Sequence, residues 1–99
     1  MFESTYEKCL CHELEKRNLF FEVQKSLDIN YKGLKIDNAY KMDLVVEDKV
    51  IVELKSKEII NEVDYKQLLT YLQLANKKVG LLINFKEILL RKGIKRLVL

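Results

Sequence analysis

Two carboxylates and a lysine stand within a short reach of one another in the segment Asp43-Leu-Val-Val-Glu-Asp-Lys-Val-Ile-Val-Glu53-Leu54-Lys55. The polar triplet Glu47-Asp48-Lys49 separates two apolar runs, Met42–Val46 and Val50–Leu54, which predicts a hairpin with a three-residue loop. With Val46 opposite Val50, Asp43 falls opposite Glu53. The period of two then turns both acids and Lys55 to one face, together with Val45 and Ile51, while Leu44, Val46, Val50, Val52 and Leu54 turn to the other. Like charges directly opposite on a sheet destabilise it, and apolar neighbours raise that cost. A hard divalent cation between the carboxylates, Mg²⁺ or Mn²⁺, offsets it. Lys55 beside such a cation suits holding an attacking water or stabilising charge that grows during phosphoryl chemistry. The same residues also fit a surface salt-bridge patch, and a register slipped by one residue would part the acids.

The elements that must position these groups follow from periodicity. From Glu3 to about Arg17, Phe2, Tyr6, Cys9, Leu10 and Leu14 recur at the spacing of a helix with one buried stripe. Leu19 to Asn30 reads as a strand, Tyr31-Lys32-Gly33 as a turn, and Leu34 to about Ala39 as the returning strand. A second helix is predicted over Glu62 to Ala75, with Val63, Leu68, Leu69, Leu72 and Ala75 as its apolar positions. Val79 to Asn84 reads as a buried strand and Ile94 to Leu99 as the last one. Phe20, Phe21 and Tyr65 are expected in the core, Asn84 as a strand-end cap and His12 on a helix surface. This order predicts a mixed α/β or α+β layer arrangement.

Ninety-nine residues, 48% hydrophobic and 33% charged, with no proline and three glycines, fit one domain over residues 1–99 with a modest core. No apolar run is long enough to span a membrane and the start lacks the blocks of a signal peptide, so a cytoplasmic location is expected, with no membrane partner. Cys9 and Cys11 read as reduced thiols; with His12 they neither converge nor complete a zinc site. The net charge is +3, and Lys86, Arg91, Lys92, Lys95 and Arg96 against Glu87 place +4 at the C-terminal end, leaving −1 elsewhere. That end is either a solvated surface or a nucleic-acid contact.

Three further pieces accompany the acidic pair. Glu3 and Tyr6 form an E-x-x-Y pair on the first helix, and Gln67 and Tyr71 a Q-x-x-x-Y pair on the second. Val79-Gly-Leu-Leu-Ile-Asn-Phe85 follows, with Gly93-Ile94-Lys95-Arg96 near the end. With Asp43 and Glu53-Leu54-Lys55, this set resembles the GxxExxY family, a small branch of the PD-(D/E)XK nuclease superfamily, over essentially the whole chain. The resemblance implies a restriction-endonuclease-like core, a central mixed sheet flanked by helices. It also implies Asp43 and Glu53 as metal ligands, the Leu54 carbonyl completing the metal shell, and Lys55 as the catalytic lysine. By the same resemblance Glu3 is the first-helix acid that adds to the metal site, and Gln67 and Tyr71 orient water or the substrate backbone. The glycine that opens the family motif would fall before Met1, so the upstream helix of longer relatives is expected to be missing. Glu3 is then expected to fray, and an apolar patch to be bared for a partner or a second copy. Two cysteines are too few for the iron–sulfur cluster that some superfamily members carry.

Two function classes follow. One is a Mg²⁺- or Mn²⁺-dependent nuclease acting on DNA, working alone or as a homodimer. The other is a catalytically inactive nuclease-fold protein that binds nucleic acid or a protein partner through its basic end. The intact D…E-x-K set favours the enzyme, since an inert binder has no need to hold two carboxylates face to face.

Overall fold

The computed structural model describes residues 3–86 and 93–99; Phe2, Glu87, Arg91 and Lys92 lie outside them. Helix α1 spans Glu3–Lys16 and is followed by strands β1 (Phe21–Tyr31), β2 (Leu34–Val46) and β3 (Val50–Lys55). Helix α2 (Glu62–Ala75) crosses over to β4 (Val79–Asn84), and β5 (Ile94–Val98) closes the order. The sheet runs β1-β2-β3-β4-β5; the β3–β4 pair joined through α2 is parallel and the other neighbours are antiparallel. This is a mixed five-stranded sheet with two helices, an α+β arrangement. No helix among the described residues is long and apolar enough to cross a membrane.

The core divides by sheet face. Met42, Val45, Ile51 and Leu82 pack with Leu68, Tyr71 and Leu72 of α2. Leu44, Val52, Leu54 and Ile83 form the other layer, against Leu10 and Cys11 of α1. Helix α2 is drawn in closely because β4 offers Gly80 beneath it. A Cβ there would lie 2.9 Å from both Leu68 methyl carbons, so any side chain at Gly80 would force the buried Leu68 side chain to move.

Helix α2 begins at a reciprocal cap. The Asn61 side chain accepts from the N–H groups of Val63 and Asp64, and the Asp64 carboxylate accepts from the Asn61 N–H at 2.9 Å. It ends at Asn76 in the left-handed conformation (φ 55°). Asn61→Ala is expected to cost about 1–2 kcal/mol, read as a lower urea midpoint at unchanged slope; a shift below a few tenths would show that the cap is dispensable.

Three sequence expectations change. The runs Leu34–Ala39 and Met42–Val46 are one strand, because Tyr40 and Lys41 between them stay paired with Leu27 and Ser26. Leu27 faces Tyr40 and Ile29 faces Ile36, so β2 carries extra residues there, with Asn38 left-handed (φ 53°) and its N–H held by Asp28 Oδ1 at 2.8 Å. Phe20, expected in the core, is 58% exposed, and Val63, placed on the buried stripe of α2, is 71% exposed. Phe20 precedes β1, where its N–H bonds Glu47 Oε2 at 2.9 Å and its ring has no layer to enter. Val63 sits in the first turn of α2. Phe21 and Tyr65 are half-buried against the core as expected.

The β2–β3 hairpin has the register read from its pattern: Val46 faces Val50, Val45 faces Ile51 and Leu44 faces Val52. Its loop is turned by Glu47 and Asp48, both left-handed, and closed by the Lys49 N–H to the Val46 carbonyl at 3.0 Å. One break in the alternation remains. Met42 and Leu44, two apart on β2, lie in opposite core layers, as do Leu27 and Phe21 on β1. Both strands thus exchange faces between these residues, at the level of Gln24 and Asp43, without losing register.

Candidate active site

The hairpin ladder ends at Leu44 and Val52, and beyond it side chains take over from backbone. The Asp43 N–H donates to Glu53 Oε1 at 3.0 Å, and the Leu54 N–H donates to Asp43 Oδ2 at 2.8 Å. Each carboxylate is therefore anchored by the opposite strand, which holds the two acids together where β2 and β3 diverge. In an extended strand the N–H and carbonyl of one residue project to the same side, so the Leu54 carbonyl faces the same opening as its N–H.

Glu53 is 3% exposed. Burial first, then the Asp43 charge, pushes its carboxyl up to about 8, against the lowering effects of the Asp43 N–H and the Lys55 ammonium. A buried acid that resists ionisation beside a second acid fits a site built for added positive charge. The donor set, two carboxylates and a carbonyl, consists of hard oxygens, and Mg²⁺ commonly uses one or two carboxylates with water and substrate phosphate for the rest. Among the described residues no group of three or more His, Cys, Asp or Glu converges. The residues present suit a hard divalent cation and not zinc.

Helix α2 supplies the wall facing β3. Lys55 Nζ donates to Gln67 Oε1 at 3.1 Å and lies 3.9 Å from Asp64 Oδ1. Burial pushes the Asp64 carboxyl up, but the Asn61 N–H, then Lys57 and Lys55, outweigh it and hold the group below the usual carboxylate range. Lys57 Nζ completes the pair with Asp64 at 2.8 Å. The capping residue of α2 thus also steers the lysine. Tyr71 is raised by burial first and then by the charges of Glu53 and Asp43, so it stays a neutral phenol beside the acids. Its ring meets Tyr40 at 5.5 Å between centroids, and a cleft of about 260 Å³ opens there, lined by Tyr40, Val63, Lys66, Gln67, Thr70 and Tyr71.

The structure brings Asp43, Glu53, Lys55, Gln67 and Tyr71 into one neighbourhood. Glu3 stands apart: its Oε1 accepts the Ser56 N–H at 3.0 Å and ties the start of α1 to the end of β3. Tyr6 stacks on Phe85, with ring centroids 4.0 Å apart and planes within 2°. Buried Asn84 caps as expected, exchanging hydrogen bonds with the Lys57 backbone at 3.1 and 2.8 Å. Cys9 and Cys11 are free thiols; burial and then Glu7 and Glu15 push Cys11 up, which leaves it a poor nucleophile. Of the basic C-terminal residues, Lys86, Lys95 and Arg96 are described and exposed.

Sequence reasoning missed the contacts of Asp64 with Lys57, and those of left-handed Gln24 (φ 49°) with Glu7 and Asp43. For Asp64 a signal was present, the N-x-x-D capping box at Asn61. For Glu7 and Gln24 there was none, since a glutamine inside a strand carries no mark of a left-handed backbone.

A family model described as the PD-(D/E)XK nuclease superfamily matches residues 1–97. No curated protein and no solved structure matches the chain.

Proposed function

The chain belongs to the PD-(D/E)XK nuclease superfamily, and on that premise we propose that it hydrolyses phosphodiester bonds of DNA with a bound Mg²⁺ or Mn²⁺. The E-x-x-Y pair of Glu3 and Tyr6 supports its placement in the GxxExxY branch. The observation that carries the reading is the mutual anchoring of Asp43 and Glu53 through the Asp43 and Leu54 N–H groups, with Lys55 two residues along the same strand.

Asp43, Glu53 and the Leu54 carbonyl would hold the cation, which when bound lowers the pKa of a coordinated water and neutralises charge on the scissile phosphate. The two N–H bonds fix the carboxylates before any ligand arrives, so little reorganisation is needed. Gln67 and Asp64 keep the Lys55 ammonium extended over the site, where it stabilises the oxygen charge that grows as the phosphate is attacked. The Tyr71 hydroxyl, neutral at working pH, donates to a water or a phosphate oxygen. The cleft between Tyr40 and Gln67 receives the strand next to the scissile bond.

Labelled single-stranded, duplex and branched DNA, with RNA alongside, should be incubated with the protein in Mg²⁺ or Mn²⁺ and in chelator. Cleavage is expected in the metal alone, and Lys55→Ala should lower it by about 10²–10³, the range for removal of one preorganised charge donor. Equal cleavage by Lys55→Ala would take the lysine out of the mechanism. No cleavage of any substrate, with wild type and variant binding DNA alike at a steep salt dependence, would replace this reading by a non-catalytic binder.

A further inference from the structure

We infer that Gln24 is a positioning residue for this site, aiming the Asp43 carboxylate and coupling it to Glu7 of α1; the inference rests on the metal-dependent reading above. Gln24 lies in β1 between the pairs Val23–Leu44 and Lys25–Met42, directly across from Asp43. Its φ is 49°, a left-handed value inside an extended strand. Glutamine has no intrinsic reason to adopt it, and such a conformation persists where the surroundings over-determine it.

The consequence is visible on both strands. At this level β1 and β2 exchange faces together, so Leu44 packs toward α1 and Met42 toward α2 while the pairing stays in register. The kink leaves the Gln24 side chain against two carboxylates, its Nε2 donating to Glu7 Oε2 at 3.1 Å and to Asp43 Oδ1 at 3.4 Å. Both amide hydrogens are thereby used. Asp43 is held from opposite sides, Oδ2 by the Leu54 N–H and Oδ1 by Gln24, which fixes the plane of its carboxylate. A neutral amide does this without adding charge, so the site keeps its need for a cation. Partners that orient a metal-binding carboxylate in this way tune metal affinity without touching the metal.

The test is Mn²⁺ binding, followed by electron paramagnetic resonance and calorimetry at fixed pH, beside thermal unfolding in chelator. Gln24→Gly removes the amide but suits the left-handed backbone, so the melting temperature should hold or rise. Its Mn²⁺ dissociation constant should nevertheless rise about ten- to a hundredfold. Gln24→Asn tolerates the same backbone, is too short to reach both carboxylates, and should show the same loss should the glycine variant fail to fold. Glu7→Ala should weaken Mn²⁺ binding in wild type and add nothing in the Gln24→Gly background. A folded Gln24→Gly protein that binds Mn²⁺ within twofold of wild type would overturn the inference. So would a Glu7→Ala effect of full size in that background, which would make Glu7 an independent ligand. If wild type itself binds no Mn²⁺, the metal-dependent reading fails, and this inference with it.

Discussion

Glu53→Gln is expected to abolish cleavage and, in metal-free buffer at pH 8, to make the protein more stable. The two effects have one cause. Glu53 is 3% exposed, and burial together with the Asp43 charge pushes its carboxyl up to about 8. In the unfolded chain the same group titrates near 4.5. Between these values the folded state holds a proton that the unfolded state has released, so the free energy of unfolding falls as pH rises from about 4.5 to about 8. Stability from the neutral carboxyl is complete below the unfolded value and is lost as pH passes through the folded one. Glutamine stays neutral throughout and keeps an oxygen for the Asp43 N–H, so the variant escapes the loss. By linkage the gain at pH 8 is on the order of a few kcal/mol, which in a domain of this size raises the melting temperature by roughly ten degrees or more. At pH 4 the gain should vanish. An amide cannot replace the carboxylate as an anionic metal ligand, so activity should fall by at least about 10³. Unfolding curves of both proteins in chelator at pH 4, 6 and 8 decide the first part: parallel pH dependences would mean that Glu53 ionises freely in the folded protein.

Some of this site is legible in the chain because its geometry is periodic. A three-residue polar interruption between two apolar runs determines the hairpin register, and a period of two then aligns Glu53 and Lys55 with Val45 and Ile51. Helix α2 follows in the same way from its apolar spacing and its capping asparagine, and with it come Gln67 and Tyr71. What escapes is everything that depends on a locally exceptional backbone or on contacts between distant segments. The bulge around Asn38 lies inside what reads as a regular returning strand, and no residue type there announces it. Gln24 turns left-handed inside a strand, and no residue type announces that. The Ser56 N–H meets Glu3 of α1, and Lys57 meets Asp64 of α2, across the β3–α2 connection. These contacts appear only once both layers are in place. Glu3 shows the consequence for residues carried over by resemblance: its helix start is tied to β3 through the backbone of Ser56, while Glu7, one turn later, is the α1 acid bridged toward Asp43.

Divalent-metal affinity is expected to climb with pH, about tenfold per unit between roughly pH 5 and pH 8, and to level off above. The sign follows from the competition at Glu53. In the metal-free protein its carboxyl is held protonated up to about 8, and a cation must displace that proton before the oxygen can serve as a charged ligand. Below that value each ion bound releases about one proton. Two measurements isolate the effect: Mn²⁺ titrations across pH, and calorimetry at pH 6.5 in buffers of different ionisation enthalpy, where the slope of heat against buffer enthalpy counts the proton. Glu53→Gln should bind weakly with no pH dependence over this range, because the substitution removes the proton with which the cation competes. Wild-type affinity that is flat from pH 5.5 to 8, with no proton released, would place the ion away from Glu53. The same competition links the two halves of the site's chemistry. At acid pH the fold is favoured by a neutral Glu53 and the site binds metal poorly; near pH 8 the carboxylate is available, and the bound ion supplies the stabilisation that the lost proton had given. The pair of acids therefore reads as a site whose instability in the metal-free state is converted into metal affinity.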